Sequence, residues 1–230
     1  MSVSYRIISI GTLAGHPLWN EPADSRSGHA TTTLITTDDA NILVDPSLPA
    51  QALLARLDER SNTKPQQITH VFLTSADTLH RRALAAFPNA SWLAHEPELS
   101  ALQATVNAQI QESQDGGDAD LTLALQQDKE ILQRCQPAED SIAPGVDLFP
   151  LPGATPGCCG LLLPLPRATV LICGDAIATV EHLEQGKVLP GCHDIEQAQA
   201  SFAEAVEIGD LFVLGRDNLT LNPLRGPLGM

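Results

Sequence analysis

Residues 71–80 read Val71-Phe72-Leu73-Thr74-Ser75-Ala76-Asp77-Thr78-Leu79-His80. The three apolar residues at the start form a run expected of a strand buried on both faces. The polar segment behind it carries a hydroxyl (Ser75), a carboxylate (Asp77) and an imidazole (His80) in one short loop. The predicted strand extends back to Ile68, and the loop leads into a short predicted helix through Arg81-Arg82-Ala83-Leu84. A further strand is expected at Ser91–Ala94.

The same reading extends along the rest of the chain. Val3 to Leu13 alternates loosely and is rich in β-branched residues, which predicts a strand. Gly15 to Gly28 is a polar loop with Pro17 and Pro22, long enough to serve as a flap over a cleft or as a plain surface excursion. Thr31–Thr37 and Asn41–Asp45 read as a hairpin around Asp38-Asp39-Ala40. Pro49 to Arg60 reads as a helix, with Leu53, Leu54 and Leu57 on one face and Pro49 suited to its first turn. Glu96 to Arg134 predicts two helices separated by Asp115-Gly116-Gly117-Asp118. Val146–Leu151 and Gly160–Leu165 are predicted strands flanking a Pro/Gly-rich turn, and Val170–Cys173 is a strand ending at Gly174-Asp175. Asp194 caps a helix to about Ile208, with Gln197 as its capping-box partner, and Leu211–Leu214 is the last clear strand. Two groups of strands, with helices between and after them, suggest a layered α/β arrangement.

With 230 residues the chain is long enough for one large domain, taken here as 1–230. Aromatics are only 3%, so the core must rest on Leu, Ile, Val and Ala. The net charge of −15, from 13 basic and 28 acidic residues, repels nucleic acid and anionic membrane, and neither is expected as a partner. The N-terminus from Met1 to Ile7 reads as a strand rather than a signal peptide. No apolar stretch approaches the roughly 20 residues that span a bilayer. Five cysteines without a CxxC pair read as reduced thiols, so a cytoplasmic protein is expected.

Five landmarks carry a family resemblance over roughly Val3 to Asn218. They are Asn41-Ile42-Leu43-Val44-Asp45-Pro46, Thr69-His70-Val71-Phe72-Leu73-Thr74 with its loop, Leu151-Pro152-Gly153-Ala154-Thr155-Pro156-Gly157, Leu171-Ile172-Cys173-Gly174-Asp175, and Val213-Leu214-Gly215-Arg216-Asp217-Asn218. In order and spacing they resemble the metallo-β-lactamase superfamily. The 74–80 loop corresponds to its T-H-x-H-x-D-H motif, the 151–157 segment to T-P-G-H-T-P-G, and the 213–218 segment to its late P-G-H-D. The resemblance implies a four-layer αββα sandwich of two mixed β-sheets flanked by helices. It also implies a metal centre at one edge, where a bound divalent ion lowers the pKa of water to about 7.

Carried over residue by residue, the resemblance leaves that centre depleted. The first metal would use Ser75, Asp77 and Ala154, of which only Asp77 binds strongly. The second would use Leu79, His80, Asp175 and Arg216, of which only His80 and Asp175 can ligate. Arg216 places a permanent cation where a metal is expected and opposes metal binding. Tight sites use three or four protein ligands. An Arg216–Asp175 ion pair, with Asp77 as a second partner, is therefore expected to take the place of the lost metal charge. Asp45 matches the family's early Asp, which supports the metal loop, and is expected to hydrogen-bond loop backbone.

Other reactive residues read more plainly. His70 lies before a strand and outside the metal set, and His95 closes a strand as a surface or satisfied histidine. His16 and His29 border the long loop, and a place at a pocket mouth is the lesser alternative for them. Cys158 and Cys159 read as small buried hydrophobes, with one thiol turned inward by strand alternation. Cys192-His193-Asp194 reads as a helix cap rather than a metal cluster. Arg81-Arg82 reads as a solvated helix face.

Three functional readings follow. The favoured one is a binding, regulatory or relict-pocket protein that has lost dinuclear metallohydrolase chemistry and carries no cofactor. The second is a mononuclear hydrolase of an ester, thioester or phosphoester, with one weakly held Zn, Mn or Fe on Asp77, His80 and Asp175. The third is metal-independent chemistry by Ser75 or a cysteine with His80 as base. No catalytic residue is assigned. A small molecule or a protein is the expected partner, and a homodimer is expected only because symmetric dimers are common.

Overall fold

The structure, a computed structural model, describes residues 3–225. The ends of the predicted 1–230 domain, including Met1 and Ser2 of the predicted N-terminal strand, lie outside the described residues.

Twelve strands form two six-stranded sheets. The first contains β1 (Ser4–Ser9), β2 (Thr32–Thr36), β3 (Asn41–Val44), β4 (His70–Leu73), β5 (Ser91–Ala94) and β6 (Gln136–Pro137), in that spatial order. β1, β2 and β3 pair antiparallel, and β3 to β6 pair parallel. The second contains β7 (Ser141–Ala143), β8 (Val146–Pro150), β9 (Cys159–Leu165), β10 (Ala168–Ile172), β11 (Leu211–Val213) and β12 (Leu219–Leu221). Only β10 and β11 pair parallel within it. The helices are α1 (Ala50–Ser61), α2 (Glu96–Asp115), α3 (Ala119–Arg134), α4 (Val180–Gln185) and α5 (Ile195–Ile208). Among the described residues, no helix is long and apolar enough to cross a membrane.

Side-chain alternation explains the layers. Ile42, Val44 and Phe72 face Leu161, Leu163, Val170 and Ile172 between the sheets. Their sequence neighbours Leu43, Val71 and Leu73 point the other way, onto Leu53 and Leu57 of α1, Leu99 and Val106 of α2, and Leu132 of α3. On the far side Leu171 and Phe212 pack with Leu183 of α4 and Ala205 of α5. β3, β4 and β10 are thus covered on both faces, which is why they read as unbroken apolar runs. The result is the expected αββα sandwich of two mixed sheets.

Several boundaries differ from the sequence reading. The first strand ends at Ser9, after a register shift between Ile7 and Ser9, and Thr12 keeps only an isolated bridge to His29. The helix predicted at Arg81–Leu84 is a run of turns followed by a 3-10 turn at Leu84–Ala86, because Arg81 is pulled inward. β6, β7, β12 and α4 were not expected. The three strands are two or three residues long, too short to show a period.

Parallel pairing brings four strand ends to one edge. β3 leads into Asp45, β4 into Thr74, β10 into Gly174-Asp175 and β11 into Gly215-Arg216. Gly174 is required there: its φ is +54°, and a Cβ would lie 2.6 Å from the Thr74 side chain. Gly215 is pressed equally close, since a Cβ on it would come within 2.2 Å of the Gly174 carbonyl oxygen. These two contacts set Asp175 and Arg216 side by side.

Candidate functional site

Asp45 anchors the site. It sits just past β3 with φ +48°, an uncommon conformation for a residue with a side chain. Its Oδ1 accepts the Thr74 backbone N–H at 2.9 Å, and its Oδ2 accepts the Thr74 hydroxyl at 2.6 Å. The same Oδ2 lies 3.2 Å from His80 Nδ1. Asp45 therefore holds both the loop backbone, as expected, and the imidazole. Asp77 shapes the turn from within, its Oδ1 accepting the Leu79 and His80 N–H groups at 2.7 and 3.1 Å.

On the other side of His80, Nε2 lies 3.1 Å from Asp175 Oδ2. Arg216 reaches across from the β11 end. Its Nε donates to Asp175 Oδ1 at 2.7 Å and its Nη2 to Asp175 Oδ2 at 2.6 Å, a bidentate pair. Arg216 Nη2 also comes to 3.0 Å from His80 Nε2. The side chains of Arg216 and Asp175 are 8% and 11% exposed, and that of His80 is fully buried. Asp77 is more open, with its Oδ2 at 3.9 Å from His80 Nε2.

The charges balance locally. Burial alone would lower the His80 pKa, but the carboxylates of Asp45 and Asp175 outweigh burial and Arg216 and hold it well above the ordinary 6.5. The two carboxylates thus favour the protonated form of His80 between them. Burial would raise Asp175, yet Arg216 and His80 together hold its carboxyl far below the usual carboxylate range. Each cation in the pair has an anion, and the Arg216–His80 contact is tolerated because both share the same Asp175 oxygen.

Opposite signs of shift give a pH optimum. The Asp175 contribution is present above its ordinary value of 3.8 and is lost as pH falls through its depressed folded value. The His80 contribution is full below 6.5 and declines as pH rises through its elevated folded value. The urea midpoint is expected to fall progressively above pH 6.5. His80→Gln should be less stable at pH 6 and show a flatter profile above it. A wild-type midpoint that stays level from pH 6 to pH 9 would refute the bridged imidazolium.

A second buried carboxylate, not singled out from the sequence, ties the neighbouring loops. Glu98, 3% exposed in the first turn of α2, accepts the Ser75 hydroxyl at 2.8 Å and the Ala76 N–H at 3.0 Å through Oε1. Its Oε2 accepts the Thr155 hydroxyl at 2.7 Å and the Gly157 N–H at 3.0 Å. Ser75 and the 154–157 turn are where the family would place ligands of its first metal. The sequence signal for Glu98 was only a Glu at the third position of a predicted helix, which ordinarily means a capping box.

The remaining sequence candidates lie elsewhere. His70 Nδ1 pairs with Thr69 Oγ1 at 2.9 Å, and His95 Nδ1 with the Gly157 carbonyl at 3.0 Å. His29 bonds its own loop, and His16 is buried against Thr179. Neither joins the Asp175 cluster. Cys158 and Cys159 are both fully buried, and burial pushes the Cys159 thiol up to about 12 and Cys158 well above its ordinary value, so neither offers a ready thiolate. Cys192 donates to the Leu189 carbonyl, and Asp194 caps α5 by accepting the Gln197 N–H at 3.0 Å. Arg81 departs from the solvated-face reading. It is 6% exposed and reaches inward to the Ala76 carbonyl and to Asp128 of α3.

Among the described residues, one group can share a cation. Single ligand atoms of Asp77, His80 and Asp175 all lie within 4.8 Å of one another. Ser75 faces Glu98 instead, and Arg216 enters the group from the side.

A family profile described as the metallo-beta-lactamase superfamily matches residues 26–215. No curated protein sequence matches. A solved structure from Thermotoga maritima, described as a candidate metallo-beta-lactamase, aligns with TM-score 0.68 at 17% identity, covering 96% of this chain and 100% of that one. The hydrolase AbOPH of the beta-lactamase superfamily aligns with TM-score 0.63 at 15% identity, over 98% of this chain and 92% of that one. AidC, a dizinc quorum-quenching lactonase, aligns with TM-score 0.61 at 19% identity, over 77% of this chain and 67% of that one. At these identities the likeness is one of fold.

Proposed function

The chain belongs to the metallo-beta-lactamase superfamily, and we propose that within it the dinuclear metal centre has been replaced by the Arg216–Asp175–His80 charge network. On this reading the protein works as a binding or regulatory module rather than as a dinuclear hydrolase. The position of Arg216 carries the argument. Its Nη2 lies 2.6 Å from Asp175 Oδ2 and 3.0 Å from His80 Nε2, the two atoms a second metal would need. Both Asp175 oxygens are committed to the guanidinium, and the carboxylates of Asp45 and Asp175 favour a protonated His80. A divalent ion would have to displace a fixed cation and strip a proton from His80. A cavity of about 290 Å³ beside Asp77, walled by Ala101, Leu102 and Pro156, supports a small molecule as the partner.

The second reading keeps one metal. It is favoured by the 4.8 Å convergence of Asp77, His80 and Asp175, and by lactonase and hydrolase neighbours. One zinc, manganese or iron ion, with water completing its shell, would supply hydroxide for attack on an ester-like carbonyl.

Elemental mass spectrometry separates the two. Untagged protein, as purified and after incubation with zinc, manganese or iron and desalting, is expected to retain well under a tenth of an equivalent. The variant Arg216→His, which replaces the cation with a ligand, is expected to retain zinc near stoichiometry. Near-stoichiometric metal on the wild type that is lost in His80→Gln or Asp175→Asn would establish the mononuclear reading instead.

A further inference from the structure

We propose that His16, Thr179, Glu181 and His182 form an acid-released latch that pins the 14–28 segment to the start of α4. His16 precedes the 3-10 turn Pro17–Trp19, stacks on Trp19 at 4.0 Å between ring centroids, and is 3% exposed. Its Nε2 lies 3.1 Å from Thr179 Oγ1 and 3.2 Å from Glu181 Oε2. Thr179, the N-cap of α4, donates to Glu181 Oε2 at 2.8 Å and lies 2.8 Å from Nδ1 of the fully buried His182.

Once the Thr179 hydroxyl is assigned to Glu181, the tautomers of the two imidazoles follow. Thr179 has one hydroxyl proton, and it goes to Glu181. His16 Nε2 and His182 Nδ1 must then each carry a proton to bond Thr179 and Glu181. That leaves His16 Nδ1 and His182 Nε2 as lone pairs, and both atoms are buried with no hydrogen-bond partner among the described residues. Adding a proton to His182 Nε2 would create a buried cationic N–H with no acceptor.

The surrounding charges do not supply an acceptor. From the segment itself come Glu21, which accepts the His16 N–H at 2.9 Å, and Arg26, which is paired with Glu21. From α4 and its C-terminal side come Glu181 and Lys187, and from the β11–β12 connection comes Asp217, whose carboxylate accepts the Val180 N–H at 3.2 Å. Glu181 can compensate a charge on His16 but is bonded away from His182 Nε2. Burial first, then His16 and Lys187, depress the His182 pKa against the opposing pull of Glu181. A depressed folded value means that the buried His182 binds fewer protons than a solvated imidazole, so acid favours an opening that wets it. The latch is therefore at full strength above the ordinary 6.5 and weakens as pH falls below it.

Release would matter for the site because the segment is tied to α4 and leads into Thr31, which frames Arg216. Just past the segment, Thr31 donates its N–H to the Gly215 carbonyl and its hydroxyl to the Asp217 carbonyl, flanking Arg216 on both sides. The Ala178 carbonyl, next to Thr179, accepts the Arg216 N–H at 2.8 Å.

Hydrogen exchange read by mass spectrometry tests the latch, with rates corrected for intrinsic pH dependence. Peptides covering 14–28 are expected to exchange several-fold faster at pH 5 than at pH 7.5. Peptides from β4 should not change. His182→Asn keeps an amide donor near Thr179 but cannot ionise, and its 14–28 segment should stay protected at both pH values. Equal wild-type protection at the two pH values would overturn the latch, as would acid loosening that persists in folded His182→Asn. Should that variant not fold, the His182 imidazole titration by NMR in the wild type replaces it. A midpoint coincident with segment opening supports the latch, and separate midpoints refute it.

Discussion

Arg216→Ala is expected to destabilise the protein by about 3–5 kcal/mol, the cost of leaving a buried carboxylate without its partner. For a chain of this size that is a fall in Tm of roughly 10–15 °C. The magnitude follows from the burial of Asp175, which is 11% exposed and receives both of its Arg216 bonds at 2.7 Å or less. An exposed pair would be worth under about 1 kcal/mol. Asp175→Leu alone should also be costly, because it leaves Arg216 unpaired and removes one of the two carboxylates flanking His80. The double variant Arg216→Met, Asp175→Leu should recover a large part of either loss, since removing both charges removes the desolvation cost along with the attraction. Chemical denaturation of the two single variants and the double one gives the coupling directly. Additive losses, with no recovery in the double variant, would mean that Arg216 does not serve to neutralise the pocket.

The same residues show how far the sequence could be read. The layers were legible because β3, β4 and β10 are apolar on both faces and α1 repeats Leu53 and Leu57 at helical spacing. Short edge strands such as β12 escaped, since Leu219–Leu221 has neither the length nor the burial to announce itself. At the site, the proximity of Asp77, His80, Asp175 and Arg216 followed from the order of five landmarks, each fixed to a strand end. Glu98 lay outside every landmark. Its role depends on the angle at which α2 docks over the 75–76 and 155–157 turns, and no local pattern encodes that angle. Arg81 escaped for the same reason, because its inward turn toward Asp128 depends on where α3 returns across α2. His16 reads from the sequence as a loop histidine, but its partners Thr179 and Glu181 lie more than 160 positions away. A close pairing at that separation is a product of the two-sheet topology and not of local sequence.

Glu98 is the second residue whose removal is expected to be severe. Glu98→Ala leaves four donors facing an empty space: the Ser75 and Thr155 hydroxyls and the Ala76 and Gly157 N–H groups. The hydroxyls can rotate toward other acceptors, whereas the two backbone donors are fixed by their turns. At about 1–3 kcal/mol for each unsatisfied buried donor, the expected loss is about 3–5 kcal/mol. Glu98→Gln is the sharper test. It preserves volume, but its amide nitrogen must face a fixed backbone N–H wherever it lies, so a loss of about 1–3 kcal/mol is expected in place of recovery. Glu98→Asp, one methylene shorter, cannot bridge both turns and should resemble alanine. The clamp joins the two segments that the family would otherwise join through its first metal. Denaturation midpoints of the wild type should therefore be unchanged by chelator, while the Glu98 variants lose protection from hydrogen exchange at 75–80 and 153–158 together. Loss at only one of these segments would show that Glu98 belongs to that turn alone and does not bridge them. A chelator-induced loss in the wild type would show that a metal, and not this carboxylate, holds the edge of the sandwich closed.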